Sequence, residues 1–256
     1  MASRTWLQVA ALALCGILAV ATASQADTKT KDIEGLIDLR SQADTKTKDK
    51  IPVDPKLLVK PPKEAIVLFG GKAEQMRDNW YARRSTDPAG WTVDKKGVTT
   101  PNRCDISSKK EFGDCYLHVE FCEPLKGSGN SGVGMQGRYE VQILNSYGKK
   151  PEAHECGAFY SQTPPKVIAS KPVGKWQTYD IFFRAPRFDA KGKVTEKARA
   201  TVYQNRILIH QDAEFNGPTG IQYEQYKDEA AKGPIVLQGD HDPVQFRNVW
   251  IVPAKY

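Results

Sequence analysis

The sequence lacks any long stretch with the 3.6-residue apolar period of an amphipathic helix. It also lacks an apolar run that could cross a membrane, because the run at residues 9–20 is shorter than the about 20 residues that a spanning helix needs. These absences disfavour a helical bundle, and they make a membrane anchor the weaker interpretation of the N-terminal run. The chain instead has many short alternating segments separated by proline and glycine, which predict an antiparallel sandwich or barrel.

The chain also has few cysteines and no paired CxxC motif. Cys104, Cys115, Cys122 and Cys156 remain after the N-terminal leader. Cys115 and Cys122 lie on one predicted strand, roughly 23 Å apart, which is too far for a disulfide. Two disulfide pairings stay open, 104–115 with 122–156 or 104–122 with 115–156. Four free buried thiols are an equal alternative.

Long basic runs with interleaved aromatic residues are absent as well. The formal net charge is +7, but the lysines and arginines are scattered along the chain. A mildly basic surface follows from this pattern, and a nucleic acid is not expected as a partner.

The N-terminal part divides into a leader and a linker. Residues 1–23 combine an early cation, a short apolar run and a small-residue end, which is the layout of a secretory signal peptide. We therefore expect export to the periplasm or the cell exterior, with no stable membrane insertion after cleavage. Residues 24–63 contain SQADTKTKD twice and four prolines near their end, which is typical of a linker. A short helix could form at residues 33–39, and the globular domain is expected at 64–256.

Several segments of that domain alternate as strands do. The predicted strands are 65–69, 116–121, 138–147 up to its closing turn, 176–183, 198–210, 233–238 and 246–252. Residues 224–232 predict at most a short helix.

The stretch 138–147, RYEVQILNSY, is the most informative of these strands. Turn-forming residues bound it on both sides, at 127–134 and 145–148. With a period of two, one face is apolar and belongs to the core, whereas the other is polar and is expected to line a groove. The core face carries Tyr139, Val141 and Ile143, and the polar face carries Arg138, Glu140 and Gln142.

A series of ordered motifs resembles one known family. The motifs include FGD at 112–114, GNSG at 129–132, GRYEVQI at 137–143, WQTYD at 176–180, GPTG at 217–220 and FRNVWI at 246–251. Together they are similar to the 3-keto-disaccharide hydrolase domain family over about residues 65–253. The resemblance implies an all-β, concanavalin A-like jelly roll made of two antiparallel sheets. It also implies action on glycosides oxidised to a ketone at sugar C3, and so a carbohydrate as the partner.

A second similarity concerns Glu140, Gln142 and Asn145, which have the spacing of three acids in laminarinase-type glycosidases. Only Glu140 is acidic here, so this strand does not supply the two carboxyl groups of a retaining glycosidase. The family more often has Asp at the position of Asn145. That difference keeps two alternatives open, a non-catalytic carbohydrate-binding module and a structural domain attached to an envelope partner.

The chemistry implied by the resemblance is elimination beside the ketone. A C3 ketone acidifies the C2 proton, so a base and a cation or divalent metal ion near the C3 oxygen would suffice. We expect His241 to act as base or acid and Glu140 to carry a proton. The alternatives are a surface turn position for His241 and a structural ion pair with Arg138 or Arg184 for Glu140. Arg138 is expected to polarise the keto oxygen. Glu140 and His241 are also the expected ligands of one divalent ion, and the alternative zinc pattern at 154–156 is weak evidence.

Further polar and aromatic residues are expected to bind the sugar. Amides suit hydroxyl groups, Arg184 can bind them bidentately, and Tyr179 with Trp176 can stack on a pyranose ring. The alternatives are a cross-strand salt bridge for Arg184 and a core position for Tyr179. The predicted substrate-binding set is Glu120, Asn130, Gln142, Asn145, Tyr179, Asp180, Arg184 and Gln238.

Overall fold

The computed structural model describes residues 59–219 and 228–254. The predicted leader, the helix at 33–39 and most of the linker lie outside these residues. Part of the predicted helix at 224–232 also lies outside them, and residues 228–232 form turns and irregular structure.

One short helix and a series of strands make up the described chain. The helix is α1 (Ala73–Asn79). The strands are β1 (Ile66–Phe69), β2 (Trp80–Ala82), β3 (Thr92–Val93), β4 (Thr99–Thr100), β5 (Ile106–Phe112), β6 (Cys115–Cys122), β7 (Ser131–Met135), β8 (Tyr139–Ile143), β9 (Gln177–Arg184), β10 (Arg187–Phe188), β11 (Val194–Glu196), β12 (Arg199–Gln204), β13 (Ile207–Glu214), β14 (Gly233–Leu237) and β15 (Gln245–Pro253).

These strands form two main antiparallel sheets. The eight-stranded sheet has the order β13-β12-β9-β6-β15-β4-β3, with β1 also pairing with β15. The five-stranded sheet has the order β2-β5-β14-β7-β8, and β10 and β11 form a separate hairpin. The prediction of an all-β jelly roll with two antiparallel sheets is confirmed.

The core lies between the two sheets and follows the predicted alternation. Tyr139, Val141 and Ile143 of β8 are fully buried in one apolar cluster, together with Leu117 and Val119 of β6 in the other sheet. Because successive side chains of a strand point to opposite faces, the residues between them must lie on the outer faces of the sandwich. This rule places the polar residues discussed below.

Two boundaries predicted from the sequence are wrong. The predicted strand 198–210 is two strands, because Asn205 and Arg206 both adopt positive φ and reverse the chain between β12 and β13. The glycine-rich run 127–134 is a turn only in its first half, and its second half is β7. Gln136 and Gly137, both at positive φ, then form the tight turn into β8, as type I′ hairpins require.

The four cysteines among the described residues are all free thiols, so neither of the two predicted pairings is present. Cys115, Cys122 and Cys156 are buried, and Cys104 is partly buried. No helix in the described ranges has the length and apolar character needed to cross a membrane.

Candidate functional site

One end of the five-stranded sheet collects the polar loops. Neighbouring antiparallel strands reverse direction, so the start of β7 lies beside the ends of β8 and β14, and the start of β5 lies beside the end of β14. Asn130 precedes β7, Asn145 follows β8, and residues 238–242 follow β14. The sheet topology therefore brings together segments that are more than a hundred residues apart in sequence.

Glu140 lies at the centre of β8 on the outer face of this sheet and is 1% exposed. Its Oε1 accepts a hydrogen bond of 2.9 Å from Nε2 of Gln238. A Cβ atom built on Gly132 would lie 2.9 Å from Cδ of Glu140 and closer still to Oε1. The carboxylate therefore lies directly against the backbone of β7 at Gly132. The amide that donates to it belongs to Gln238, which follows β14 on the other side of β7.

Gln142 lies on the same face, opposite Gly132 in the adjacent strand. Its Oε1 accepts from the backbone N–H of Ile143 at 3.1 Å, and its Nε2 donates to the carbonyl of His154 at 3.4 Å. The predicted polar face of β8 is therefore real, but its side chains are buried and hydrogen-bonded to their surroundings.

The two asparagines are positioned through loop contacts. Asp242 accepts hydrogen bonds from Oγ of Ser128 at 2.7 Å and from the backbone N–H of Asn130 at 3.0 Å. The backbone N–H of Asn145 donates to the carbonyl of Ser128 at 2.8 Å. Burial opposes ionisation of Asp242, but these hydrogen bonds outweigh it and lower the pKa of its carboxyl.

His241 lies between Asp240 and Asp242 with its side chain half exposed. Its Nε2 is 3.7 Å from Oδ1 of Asp240. Burial and the nearby charge of Asp105 raise the pKa of Asp240, although His241 acts in the opposite sense. Asp105 itself is bound by Arg83 at 2.7 Å and by the backbone N–H of Gly239 at 2.9 Å. The contact at Gly239 holds the loop before His241, and the hydrogen bonds to Asp242 hold it after His241.

Arg138 lies at the other end of β8 and contacts backbone carbonyls. Its Nε donates to the carbonyl of Asp228 at 2.5 Å and its Nη1 donates to the carbonyl of Gln136 at 2.8 Å. Thr219 donates through its backbone N–H to the carbonyl of Arg138 at 2.8 Å. Arg138 therefore fastens the chain on both flanks of residues 220–227.

Comparison with known proteins identifies the family. The model of the 3-keto-alpha-glucoside-1,2-lyase-like domain matches residues 64–252. This chain belongs to that family. A candidate glycosyl hydrolase from Parabacteroides distasonis is 32% identical, with a TM-score of 0.67, over 82% of this chain and 95% of its own.

Two further candidate glycosyl hydrolases of the same organism share the fold. They are 17% and 20% identical, with TM-scores of 0.55 and 0.52, each over 75% of this chain and over 94% and 100% of their own. No curated protein matches. The domain of this family member is accordingly a glycosyl hydrolase-like jelly roll.

Three residues predicted to bind the same sugar lie on the other sheet of this family member. Glu120 belongs to β6, and Asp180 and Arg184 belong to β9, all on the outer face of the eight-stranded sheet. The apolar core separates that face from Glu140, so the expectation of one site containing all four residues is wrong. The sequence shows which residues share a strand face, but not which sheet the strand joins.

Those three residues already have protein partners. Asp180 Oδ1 accepts from the hydroxyl of Tyr116 and lies 2.7 Å from Nδ1 of His118. Glu120 is bound at 2.6 Å by Nε of Arg247 and at 2.9 Å by Nδ2 of Asn248.

Arg184 forms a salt bridge with Glu196 of β11, which confirms the alternative role predicted for Arg184.

His118 is the centre of this second network. Its Nε2 is 3.8 Å from Oε1 of Glu120, which is an ion-pair distance and not a hydrogen bond. Burial alone lowers the pKa of His118, but the hydrogen bond that His118 donates to Asp180 and the charges of Asp180 and Glu120 raise it to about 9. Trp250 stacks on the imidazole at 4.9 Å between ring centroids.

The two aromatic candidates are not available as sugar platforms in the predicted groove. Tyr179 faces the core with no exposed surface, and its hydroxyl donates to the carbonyl of Gln142 at 2.5 Å. The expectation that it stacks on a pyranose is wrong, and its core alternative is confirmed. Trp176 lies under the guanidinium of Arg247 at 3.9 Å, on the eight-stranded sheet.

The expected divalent ion does not fit the residues present. The described residues contain no group of three or more His, Cys, Asp or Glu side chains arranged for a metal. Oε1 of Glu140, moreover, faces an amide N–H, which a cation would repel. At 154–156, Nε2 of His154 contacts Oγ of Ser161 at 3.0 Å instead.

Gly132 and Asp105 are the residues of this region that sequence reasoning missed. Gly132 was predicted to lie in a turn, although the alternation of Gly132 and Gly134 with Val133 and Met135 is a weak strand signal. Asp105 gave no signal, because its contact with Gly239 joins residues far apart in sequence.

Proposed function

We propose that this protein cleaves the glycosidic bond of 3-keto-glycosides by elimination beside the ketone. The observation that carries the proposal is the buried carboxylate of Glu140, which lies on the outer face of the five-stranded sheet and accepts a hydrogen bond from the amide of Gln238. A carboxylate held in a fixed position on a sheet face can accept a proton from a bound substrate. Membership of a family described as 3-keto-alpha-glucoside-1,2-lyase-like supports this choice of substrate.

The surroundings of Glu140 favour elimination over double displacement. A retaining glycosidase needs a second carboxyl group about 5 Å from the first. Among the described residues, the neighbouring positions on the same face include Gly134 directly opposite, Gly132, Gln142 and Gln238, none of which carries a carboxyl group. Asp242 is hydrogen-bonded to the loop before β7 instead.

In the proposed reaction, Glu140 removes the proton from C2 of the sugar. The electrons of the C2–H bond form the enolate of the C3 ketone, and its collapse breaks the bond from C1 to the aglycone oxygen. The leaving oxygen keeps the electron pair of that bond and receives a proton from His241. The products are the free aglycone and a 1,2-unsaturated 3-keto sugar, which the addition of one water converts to the free 3-keto sugar.

The other predicted residues divide between sugar binding and support. The amides of Asn130 and Asn145 lie at the loop end of the sheet and suit sugar hydroxyls, as does Gln142. We assign Arg138 to holding the chain at Asp228, since its Nε and Nη1 already donate to carbonyl groups. This replaces the expectation that Arg138 polarises the keto oxygen.

The test uses the purified full chain and a panel of 3-keto-glycosides, with product followed by chromatography. We expect turnover by the wild type and a fall of about 10²–10⁴-fold in Glu140→Gln. The matched control is Glu123→Gln, also a buried carboxyl on the opposite sheet's strand end, whose Oε2 accepts from Gln177 at 2.8 Å. Burial raises the pKa of Glu123 to about 7, so an amide is a mild replacement there.

Unchanged turnover in Glu140→Gln would remove Glu140 from the reaction and overturn the proposal. The assay is repeated after treatment with a chelator, and we expect no loss. A complete loss that an added divalent ion restores would reinstate the metal ion.

A non-catalytic carbohydrate-binding module is the second candidate. It is favoured by Asn145, an amide where an acid was expected, because amides bind hydroxyls without transferring protons. Saturable binding of the same glycosides by calorimetry, with no product after prolonged incubation, would establish this function in place of the lyase.

We also propose that the protein is exported to the periplasm or the cell exterior. The support is the layout of residues 1–23, which lie outside the described residues. Mass spectrometry of the native protein should find an N-terminus near residue 24, and an intact Met1 would contradict export by cleavage.

A further inference from the structure

We propose that Gly132 and Gln238 are positioning residues that fix the carboxylate of Glu140, and that Gln238 acts through Glu140 and not by binding the sugar. The importance of this for turnover rests on the proposed function. The geometric claim itself concerns only the ionisation and placement of one carboxylate. The sequence predicted that Gln238 binds the substrate, whereas this proposal assigns Gln238 to positioning Glu140.

Gly132 provides the surface on which the carboxylate lies. In a strand, a residue at this position normally directs its Cβ outwards, between the side chains of the neighbouring strands. Here that Cβ would meet Cγ of Glu140 at 3.0 Å and Cδ at 2.9 Å, both far inside van der Waals contact. Any residue other than glycine must therefore displace the carboxylate of Glu140.

Gln238 holds the carboxylate from the other side of β7. Its backbone is fixed at both ends, because its N–H donates to the carbonyl of Gly132 at 3.0 Å and its carbonyl accepts from Oγ of Ser131 at 2.8 Å. The residue is 3% exposed, and Nε2 of its side chain donates to Oε1 of Glu140 at 2.9 Å. With its backbone held in this way, the Gln238 side chain extends across β7 towards Glu140.

The hydrogen bond has a definite electrostatic consequence. An N–H that donates to a carboxylate stabilises the ionised form, and so lowers the pKa of the acid. Without that donor, burial of Glu140 would oppose ionisation and the pKa would rise. Gln238 therefore contributes to keeping this base ionised, and Gly132 leaves the space that the carboxylate occupies.

The test measures the pKa of Glu140 directly, independently of turnover. The full chain is labelled with ¹³C at glutamate carboxyl groups and titrated by NMR, and Glu140→Gln identifies the resonance by its absence. We expect Gln238→Met to raise the pKa of Glu140 by about 1 unit, since one charge-assisted hydrogen bond is lost. Gln238→Glu should raise it further, because two adjacent carboxyl groups do not both ionise readily.

Gly132→Ala tests placement and not charge. We expect its kcat to fall about 10²-fold with KM little changed, because a displacement of about 1 Å has that effect on a reacting group. The control is Gln204→Met, another buried glutamine, whose Nε2 donates to Oε1 of Gln177 at 3.1 Å on the opposite sheet. It should lower stability and leave both the Glu140 titration and kcat unchanged.

The outcomes separate this inference from the function on which it rests. An unshifted Glu140 resonance in Gln238→Met and Gln238→Glu, or an acid limb of the pH–rate profile that stays in place, would overturn it. A shifted resonance in a protein without turnover would uphold the positioning role and refute the lyase. Should Gln238→Met fail to fold by circular dichroism, the titration of Gln238→Glu decides.

Discussion

The outer faces of the two sheets both bury carboxylates, but they hold them differently. On the eight-stranded sheet, Asp180 and Glu120 are paired with His118 and Arg247 at or below 3.8 Å. On the five-stranded sheet, Glu140 is held by the amide of Gln238 above a glycine. The first face pairs its carboxylates with an imidazole and a guanidinium, whereas on the second face an amide donates to the carboxylate.

This difference separates a structural network from a reactive group. Paired buried charges satisfy each other and become costly to break, yet they have little capacity left for a ligand. A carboxylate that accepts a hydrogen bond from an amide stays ionised, because the donor stabilises its charge. Burial of an acid alone, which both faces share, does not distinguish the two cases.

The largest effect on stability is expected from Asp180→Ala. The substitution removes the carboxylate bound by His118 and Tyr116 and leaves a buried imidazole without its main partner. We expect a loss of about 3–5 kcal/mol in the free energy of unfolding, measured by urea denaturation. A loss below about 1 kcal/mol would show that the network is not strongly coupled, and the contrast between the faces would fail.

A pH dependence should follow from His118. Its pKa is raised to about 9 in the folded protein, above the ordinary value of 6.5, so its stabilising effect is complete below pH 6.5 and disappears as the pH rises through about 9. We expect the free energy of unfolding of the wild type to fall across this interval relative to His118→Gln, by on the order of 3 kcal/mol. Parallel curves for the two proteins would contradict this.

Glu140→Gln should have a smaller effect on stability. The amide oxygen of the new side chain can still accept the N–H of Gln238, so the hydrogen bond survives without the charge. We expect a change of about 1 kcal/mol or less in the free energy of unfolding, measured under the same conditions. A loss as large as that of Asp180→Ala would make Glu140 a structural residue.

The smallest change is expected from His241→Asn, since the side chain is half exposed and its nearest carboxylate oxygen is 3.7 Å away. The free energy of unfolding should stay within about 0.5 kcal/mol, while turnover falls. Loss of stability together with turnover would remove the argument for a direct role of His241.

Much of the fold followed from alternation alone. The core faces of β6, β8 and β9 are those that the period of two predicts, because each strand buries one face whichever neighbours it has. Short segments such as β2, β3 and β4 gave no such pattern and were missed. The glycines of β7 concealed a strand, since glycine carries no hydrophobic signal.

The candidate site was predicted only in part. Glu140, Gln142, Gln238, Asn130, Asn145 and His241 do belong to the five-stranded sheet and its loops. Glu120, Asp180 and Arg184 do not, because β6 and β9 pair with β15 and β12 in the other sheet. No local pattern distinguishes these two groups, as both are polar residues alternating with core residues.

The amino-acid order by itself determined the strand faces and the family, because each depends on nearby residues or ordered motifs. Only the tertiary structure decided which sheet each polar face belongs to and which side chains meet. Strand pairing joins distant segments, and the contact of Gln238 with Glu140 across Gly132 exists only once β14, β7 and β8 lie side by side.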